Sequence, residues 1–519
     1  MRRVSLLAIF GLFLLNCNCE SKPPSSQAGT ATLDLLDHLP PKDLGYLVVS
    51  PQIGQALKGL GLHVGAILDA LGAKEESFGN LKKQLGFNPM VPAELDKAGI
   101  KADGGFVVWG GVPSGEEGWQ PHIVFQVSNA EALIKTITAL AKREAALQME
   151  APQEVSEGTW YGLYRTFGKK KETQGGILLR KSPAMAILTG ANLSQVQAFL
   201  KVKGSVNDHP EWHRFKKRSK ETADATVLIT TLGAGRAMEQ QAAVANLKVM
   251  PYLIKMGFEE KRLWIGSHQV MDSEALAVTQ KLQPAPPEVT APPQGVVLAA
   301  AGSLDLAETY KQIERNPLVA AQMRRFDPAT RQAMVQALGQ IFANLGSTYR
   351  LYLGLNGEPG SNPMMLLGQS FLGFDVIGKD PMPLKAMMPD FAKAVGLRPE
   401  QMVPTEKGYS LSTPMRVPVE MEFDSSEKRM GFRFGLSPST QEPLPGAKKL
   451  VTLPKGTLSA FYLDLGRLGK ALNGLSALQP TMKSAADQVA KILSGWSHLL
   501  VDQRLDKDYH VQTMQIVLP

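Results

Sequence analysis

A chain of 519 residues with 44% hydrophobic and 20% charged residues is apolar enough to build true cores, which excludes a disordered polymer; at roughly 100–200 residues per domain it predicts two to four domains. Lys and Arg number 56 against 48 Asp and Glu, so the formal charge of +8 is spread thinly, and the longest run of one basic residue is Lys169-Lys170-Lys171. A nucleic-acid footprint needs clustered basic residues, so no nucleic acid is expected as a partner. Both cysteines, Cys17 and Cys19, fall in the first twenty positions, which leaves the body without an intrachain disulfide or a thiolate metal site.

The chain opens Met1-Arg2-Arg3, followed by an apolar run over residues 4–15 interrupted only by Ser5 and Gly11. A basic start and a short apolar stretch describe an export signal, and the run is shorter than the roughly 20 residues a spanning helix needs. Leu14-Leu15-Asn16-Cys17 then resembles the lipobox of bacterial lipoproteins, a leucine three residues before an obligatory cysteine. The resemblance implies cleavage after residue 16 and a diacylglycerol on Cys17. Asn16 stands where the class usually has Gly or Ala. Cys19 is the second candidate and fits less well, having Asn16 three places upstream. Asn18, following the cysteine, is not the aspartate associated with inner-membrane retention, so the resemblance implies the outer membrane, facing the periplasm. The membrane would be gripped by acyl chains, each buried CH₂ contributing about 0.8 kcal/mol. Residues 20–32 are Pro-, Ser-, Gly- and Ala-rich without apolar periodicity, so 17–32 reads as a lipidated cysteine on a flexible tether.

The body splits at residues 283–293, where Pro284, Pro286, Pro287, Pro292 and Pro293 forbid a helix. Residues 33–282 form a first half and 294–519 a second. In the first half, strands are expected at 45–49, 106–109, 122–127, 160–167, 177–180 and 185–188, and helices at 130–146, 193–201 and 210–220. In the second, strands are expected at 297–300, 349–355, 364–372, 417–423 and 430–434, and helices at 327–345, 384–395 and 480–493. The helix at 327–345 is the clearest: Asp327 caps it, Pro328 opens it, Met334, Leu338, Ile341 and Leu345 form one stripe, and Gly346 ends it.

A turn-strand-helix element recurs near residues 40, 222, 292 and 454. Each half is also expected to end in a hairpin, 263–270 with 275–282 and 499–505 with 509–518. Recurrence at long period suggests duplication. The predicted fold class is therefore α+β, two similar halves, each a mostly antiparallel sheet packed by helices. Leu81-x-x-x-Leu85-Gly86-Phe87-Asn88-Pro89, followed by Leu95-x-x-Ala98-Gly99-Ile100, resembles a pattern in uncharacterised bacterial envelope proteins known only as domains of unknown function. That family supplies no catalytic residues to carry over.

The chemical motifs are weak. His209 and His213 share helical spacing, but no third metal ligand accompanies them, and Asp208 as a cap with Trp212 and Phe215 in the core explains the segment. Gly233-Ala234-Gly235 follows a strand and opens a helix, but Met238 occupies the third glycine position of a dinucleotide fingerprint. Gly368-Gln369-Ser370-Phe371-Leu372-Gly373 misses the nucleophile-elbow spacing by one residue. Lys169-Lys170-Lys171 reads as a solvated hairpin loop, with a phosphate or lipid headgroup contact as the functional alternative, and Met364-Met365 and Met387-Met388 read as core. No catalytic residue, metal or cofactor is therefore expected. The expected role is a non-catalytic binding or interaction protein of the cell envelope whose partner is another envelope protein, a lipid or a cell-wall polymer. An exported hydrolase assembled from scattered residues and a structural spacer are the alternatives.

Overall fold

The structure, a computed structural model, describes residues 35–111, 120–143, 147–167, 170–216, 223–239, 250–282, 296–303, 327–355, 370–394, 401–411, 419–435, 456–476 and 483–518. Cys17, Cys19, the tether, the Pro-rich segment 283–293, Lys169 and Met364-Met365 lie outside these residues. The chain combines helices with extensive antiparallel sheet, as an α+β protein does, and divides into two compact units between Met271 and Asp272.

The first unit runs β1 (Leu44–Ser50), α1 (Ile53–Ala70), α2 (Lys74–Leu85), α3 (Pro92–Lys97), β2 (Phe106–Gly111), β3 (Gln120–Gln126), α4 (Ala130–Arg143), β4 (Leu147–Met149), β5 (Gln153–Val155), β6 (Gly158–Phe167), β7 (Lys170–Lys181), β8 (Ala184–Thr189), α5 (Leu193–Leu200), α6 (Pro210–Lys216), β9 (Ala225–Ile229), α7 (Thr231–Glu239), β10 (Tyr252–Phe258) and β11 (Arg262–Val270). Its strands pair antiparallel in the order β11-β10-β9-β1-β2-β3-β8-β7-β6, with β4 and β5 both on β6. Every residue of β2 is buried, because both faces of the sheet are covered. On one face Phe106, Val108, Ile123 and Phe125 pack with Ile53, Leu57, Leu95, Leu133 and Ile137 of the helices. On the other, Trp109 donates from Nε1 to the Pro40 carbonyl at 3.0 Å and meets the Phe199 ring of α5 at 4.7 Å.

The second unit runs α8 (Ser273–Thr279), β12 (Val296–Ser303), α9 (Pro328–Asn344), β13 (Thr348–Leu355), β14 (Ser370–Ile377), α10 (Met382–Ala394), β15 (Met402–Pro404), β16 (Gly408–Leu411), β17 (Val419–Asp424), β18 (Arg429–Gly435), β19 (Thr457–Asp464), α11 (Leu465–Ser476), α12 (Lys483–Ser494), β20 (His498–Asp506) and β21 (Tyr509–Val517). The strand order is β21-β20-β19-β12-β13-β14-β18-β17-β16-β15, antiparallel throughout. Leu384 and Met388 of α10 pack on Met421, Phe423 and Met430, with Ile341 of α9 and Leu345 just after it against the same cluster.

Most expected elements appear within a few residues of their predicted bounds, and the 499–518 hairpin appears as β20 and β21. Three expectations need correction. The hairpin closing the first unit joins β10 to β11, not 263–270 to 275–282. Residues Ser273–Thr279 are helical instead: the Asp272 carbonyl accepts the Leu276 N–H at 2.9 Å, and the Glu- and Ala-bearing sequence favours that turn over an extended strand. Of the strand expected at 364–372, residues 370–372 are described; they open β14, which extends to Ile377 with the interior charge of Asp375 neutralised by arginines of neighbouring strands. Lys170 and Lys171 are strand residues at the start of β7 rather than loop residues, with Lys171 Nζ 4.3 Å from the Tyr164 ring centroid.

Candidate functional site: a cation-rimmed groove in the first unit

The groove is built from the Leu-Gly-Phe-Asn-Pro segment and the two helices beside it. α2 ends where Gly86 adopts a left-handed φ of 82° and its N–H returns to the Lys82 carbonyl at 2.8 Å. The turn drops Phe87 into the core and leads to Asn88, whose Oδ1 accepts the Met90 N–H at 3.1 Å. Pro92 opens α3, where a missing N–H costs nothing. Glu94 then accepts the Asn88 N–H at 2.6 Å and Lys82 Nζ at 3.0 Å, tying α3 back to α2. Those bonds, the Asn88 N–H first and Lys82 next, hold the Glu94 carboxyl below its ordinary value. Beyond α3, Gly99 has a φ of 91°, and a Cβ there would lie 2.3 Å from the Leu133 backbone nitrogen. Only glycine allows this approach to the first turn of α4.

α4 closes the other side with Ala132, Lys135, Thr136, Ala139 and Arg143, residues that recur at helical spacing on one stripe. Arg143 Nη1 donates to the Lys83 and Gln84 carbonyls, each at 3.1 Å, and so caps the C-terminus of α2. Because Gly86, Ala98, Ala132 and Ala139 are small, a cavity of about 580 Å³ remains between the helices. Its floor is formed by Leu85, Phe87 and Ala98, all members of the main core. Four cations, Lys82, Lys97, Lys135 and Arg143, face a single carboxylate, Glu94, so the lining carries a formal charge of +3. Glu94 occupies Lys82; among the described residues, Lys97 and Lys135 have neither a hydrogen bond nor an ion pair. This arrangement offers an apolar bed with positive charge at its rim and matches the size range of ligand pockets.

Two other polar groupings are structural. Asp375 is fully buried and accepts Arg350 Nη2 at 2.7 Å and Arg433 Nη2 at 2.6 Å, with Arg429 Nη1 at 3.3 Å and also 3.1 Å from Glu422. Burial pushes the Asp375 carboxyl up, but the charges of Arg433 and Arg350 outweigh it and hold it below its ordinary value. In the same unit Asp464, Ser497 and His498 lie near one another, superficially as a nucleophile-base-acid set. The hydroxyl of Ser497 meets His498 Nδ1 at 3.1 Å, within adjacent residues, while Asp464 Oδ1 accepts the Arg467 N–H at 2.7 Å as the cap of α11. The Ser497 carbonyl also accepts the Leu465 N–H at 3.0 Å, so the three residues close the start of that helix.

The motifs singled out in the sequence have similar explanations. His209 accepts the His213 N–H on its carbonyl at 2.9 Å at the start of α6, while Trp212 and Phe215 are buried. No group of three metal-ligating side chains occurs among the described residues. Gly233 lies in α7, where a Cβ would fall 2.0 Å from the Gly45 carbonyl oxygen; β9 before it is antiparallel to β1, unlike the parallel unit of a dinucleotide fold. Ser370 begins β14, and Met388 is buried in the core under α10.

The structure thus brings the Leu-Gly-Phe-Asn-Pro segment and Ala98 together at one cavity, but the cations around it were missed in the sequence. The available signal was the stripe of α4, where small and basic residues share one helical face; its partner stripe on α2 and α3 is set by tertiary packing.

No family model matches the chain, and no curated protein matches it. The solved structure of crystal form I of TP0453 aligns with 44% of this chain and 76% of its own at 10% identity, with a TM-score of 0.23, a likeness too slight to carry an argument. Among the described residues, no helix is long and apolar enough to cross a membrane.

Proposed function

We propose that this is a lipid-anchored lipoprotein of the bacterial cell envelope, held by acyl chains on Cys17 at the outer membrane and facing the periplasm, with a non-catalytic binding body. The observation that carries the reading is Leu14-Leu15-Asn16-Cys17 directly behind a basic start and a short apolar run. The tether at 20–32 gives a body room to stand off the bilayer. The groove between α2, α3 and α4 supports binding as the activity: its lining is an apolar floor with a charged rim.

The body is further read as two duplicated halves, with the Pro-rich segment 283–293 linking them. Supporting this, the pairing orders correspond strand for strand. β1, β2 and β3 answer to β12, β13 and β14; β6, β7 and β8 to β16, β17 and β18; and β9, β10 and β11 to β19, β20 and β21. α4 and α10 likewise follow the equivalent strands β3 and β14.

Metabolic labelling with a palmitate analogue tests the anchor. The wild-type chain and Cys19→Ser are expected to take label and Cys17→Ser to lose it. An unlabelled wild type overturns the lipoprotein reading, and label retained in Cys17→Ser but lost in Cys19→Ser overturns the choice of cysteine.

A further inference from the structure

We infer that the groove between α2, α3 and α4 takes an elongated phosphate-bearing anion, its phosphates on the Lys97, Lys135 and Arg143 rim and its organic part over Leu85, Phe87 and Ala98. This deepens the binding reading and rests on it. The charge is the first argument. Glu94 is bonded by Lys82 and by the Asn88 N–H and feels the charge of Lys97 only at longer range, so that among the described residues Lys97, Lys135 and Arg143 form no ion pair with a carboxylate. A monovalent carboxylate would still leave two positive charges uncompensated on one exposed rim, whereas a multiply charged oxyanion matches them.

Geometry is the second argument. Among the described residues, Arg143 spends only Nη1, on the Lys83 and Gln84 carbonyls, so Nε and Nη2 keep their N–H groups for a ligand. Its guanidinium is held in place by that capping contact and needs no reordering when an anion arrives. A guanidinium fork beside two lysine point charges is a recurrent way of holding phosphate oxygens. Lys135 and Arg143 are eight residues apart on α4, about 12 Å along the axis, which exceeds the span of one phosphate and calls for an extended ligand. Size is the third: about 580 Å³ is far more room than a bare phosphate fills, and the buried floor suits carbon rather than charge. The same chemistry occurs in a soluble polyphosphate ester and in an anionic phospholipid headgroup.

The experiment titrates the detergent-solubilised full chain by calorimetry with tripolyphosphate, monomeric dihexanoylphosphatidylglycerol, dihexanoylphosphatidylcholine and hexaglutamate. Tripolyphosphate is expected to bind at one site per chain, and the Lys97→Glu/Lys135→Glu double variant to weaken it by about tenfold or more, while the exposed distant control Lys203→Glu leaves it unchanged. Phosphatidylglycerol binding that tripolyphosphate displaces, with none for phosphatidylcholine, assigns a lipid source; tripolyphosphate binding without it assigns a soluble one. Both outcomes support the inference. Absence of phosphate binding, or binding indifferent to the double reversal, overturns it. Hexaglutamate binding without phosphate binding overturns the ligand class while leaving a binding groove, and the labelling experiment on Cys17 is unaffected by any of these results.

Discussion

His122 makes the first unit acid-sensitive by an amount that can be worked out. Its ring is buried between Trp109, at 5.4 Å between centroids, and Phe199, at 4.2 Å, and its Nδ1 has no hydrogen-bond partner among the described residues. Burial therefore penalises the imidazolium and pushes the pKa down from 6.5 to about 4. In the unfolded chain the ring takes up its proton first. The stabilisation is present in full above the unfolded value of about 6.5 and is lost as the pH falls toward the folded value of about 4. At about pH 4.5 the loss from this one ring is roughly 2–3 kcal/mol, a sizeable share of a domain's total stability. His122→Phe keeps an aromatic ring in the stack and removes the titration. Urea unfolding of wild type and variant at about pH 7.5 and about pH 4.5 measures the effect, with a brief labelling pulse at fixed pH and mass spectrometry of β2 and β3 peptides so that only this sheet is read. The variant is expected to lose roughly 2–3 kcal/mol less than wild type on acidification. If the two lose equal stability, within about 0.5 kcal/mol, the buried neutral imidazole is not what destabilises the sheet. His63 and His209 of the same unit are also lowered by burial, so wild type should lose more than the His122 share alone.

Two further outcomes test the packing. Asp375→Ala removes the carboxylate that Arg350, Arg429 and Arg433 share and should destabilise the second unit by about 3–5 kcal/mol in urea unfolding. Arg350→Ala leaves Asp375 with two guanidiniums and should cost clearly less; equal costs would argue against a network centred on the aspartate. Gly99→Ala must push α4 away from α3, since the new Cβ would meet the Leu133 nitrogen at 2.3 Å on a backbone already at a φ of 91°. It should cost about 2–4 kcal/mol and weaken tripolyphosphate binding at the groove it widens; an unchanged unfolding midpoint would refute that packing.

Sequence periodicity located elements wherever the signal is local. The helix expected at 193–201 is α5, and Asn192 before it forms the capping box with Gln195 that its residue types permit. The strands at 106–109 and 185–188 were legible as short apolar runs bounded by turn residues. Errors arose where neighbours decide. The buried Asp375 network was invisible in the sequence because its three arginines lie 25 to 58 residues away in the chain. Residues 275–282 looked like a hairpin arm because alternation of apolar and polar residues over a few positions does not separate a strand from one or two helical turns. The groove was half legible: its Leu-Gly-Phe-Asn-Pro turn stands out in the sequence, but its cations come from helices that meet only in the folded chain.

By itself, then, the amino-acid order determined most of the secondary-structure types and the antiparallel character of the sheets, because these follow from interactions within about ten residues. Tertiary structure alone decided that β9 lies beside β1, more than 170 residues earlier in the chain, and that α2, α3 and α4 enclose a charged cavity. Apolar strand faces are interchangeable in sequence. Which of them pair is chosen by the simultaneous packing of all the others, and charges separated along the chain acquire a common electrostatic role only once that packing holds them on one rim.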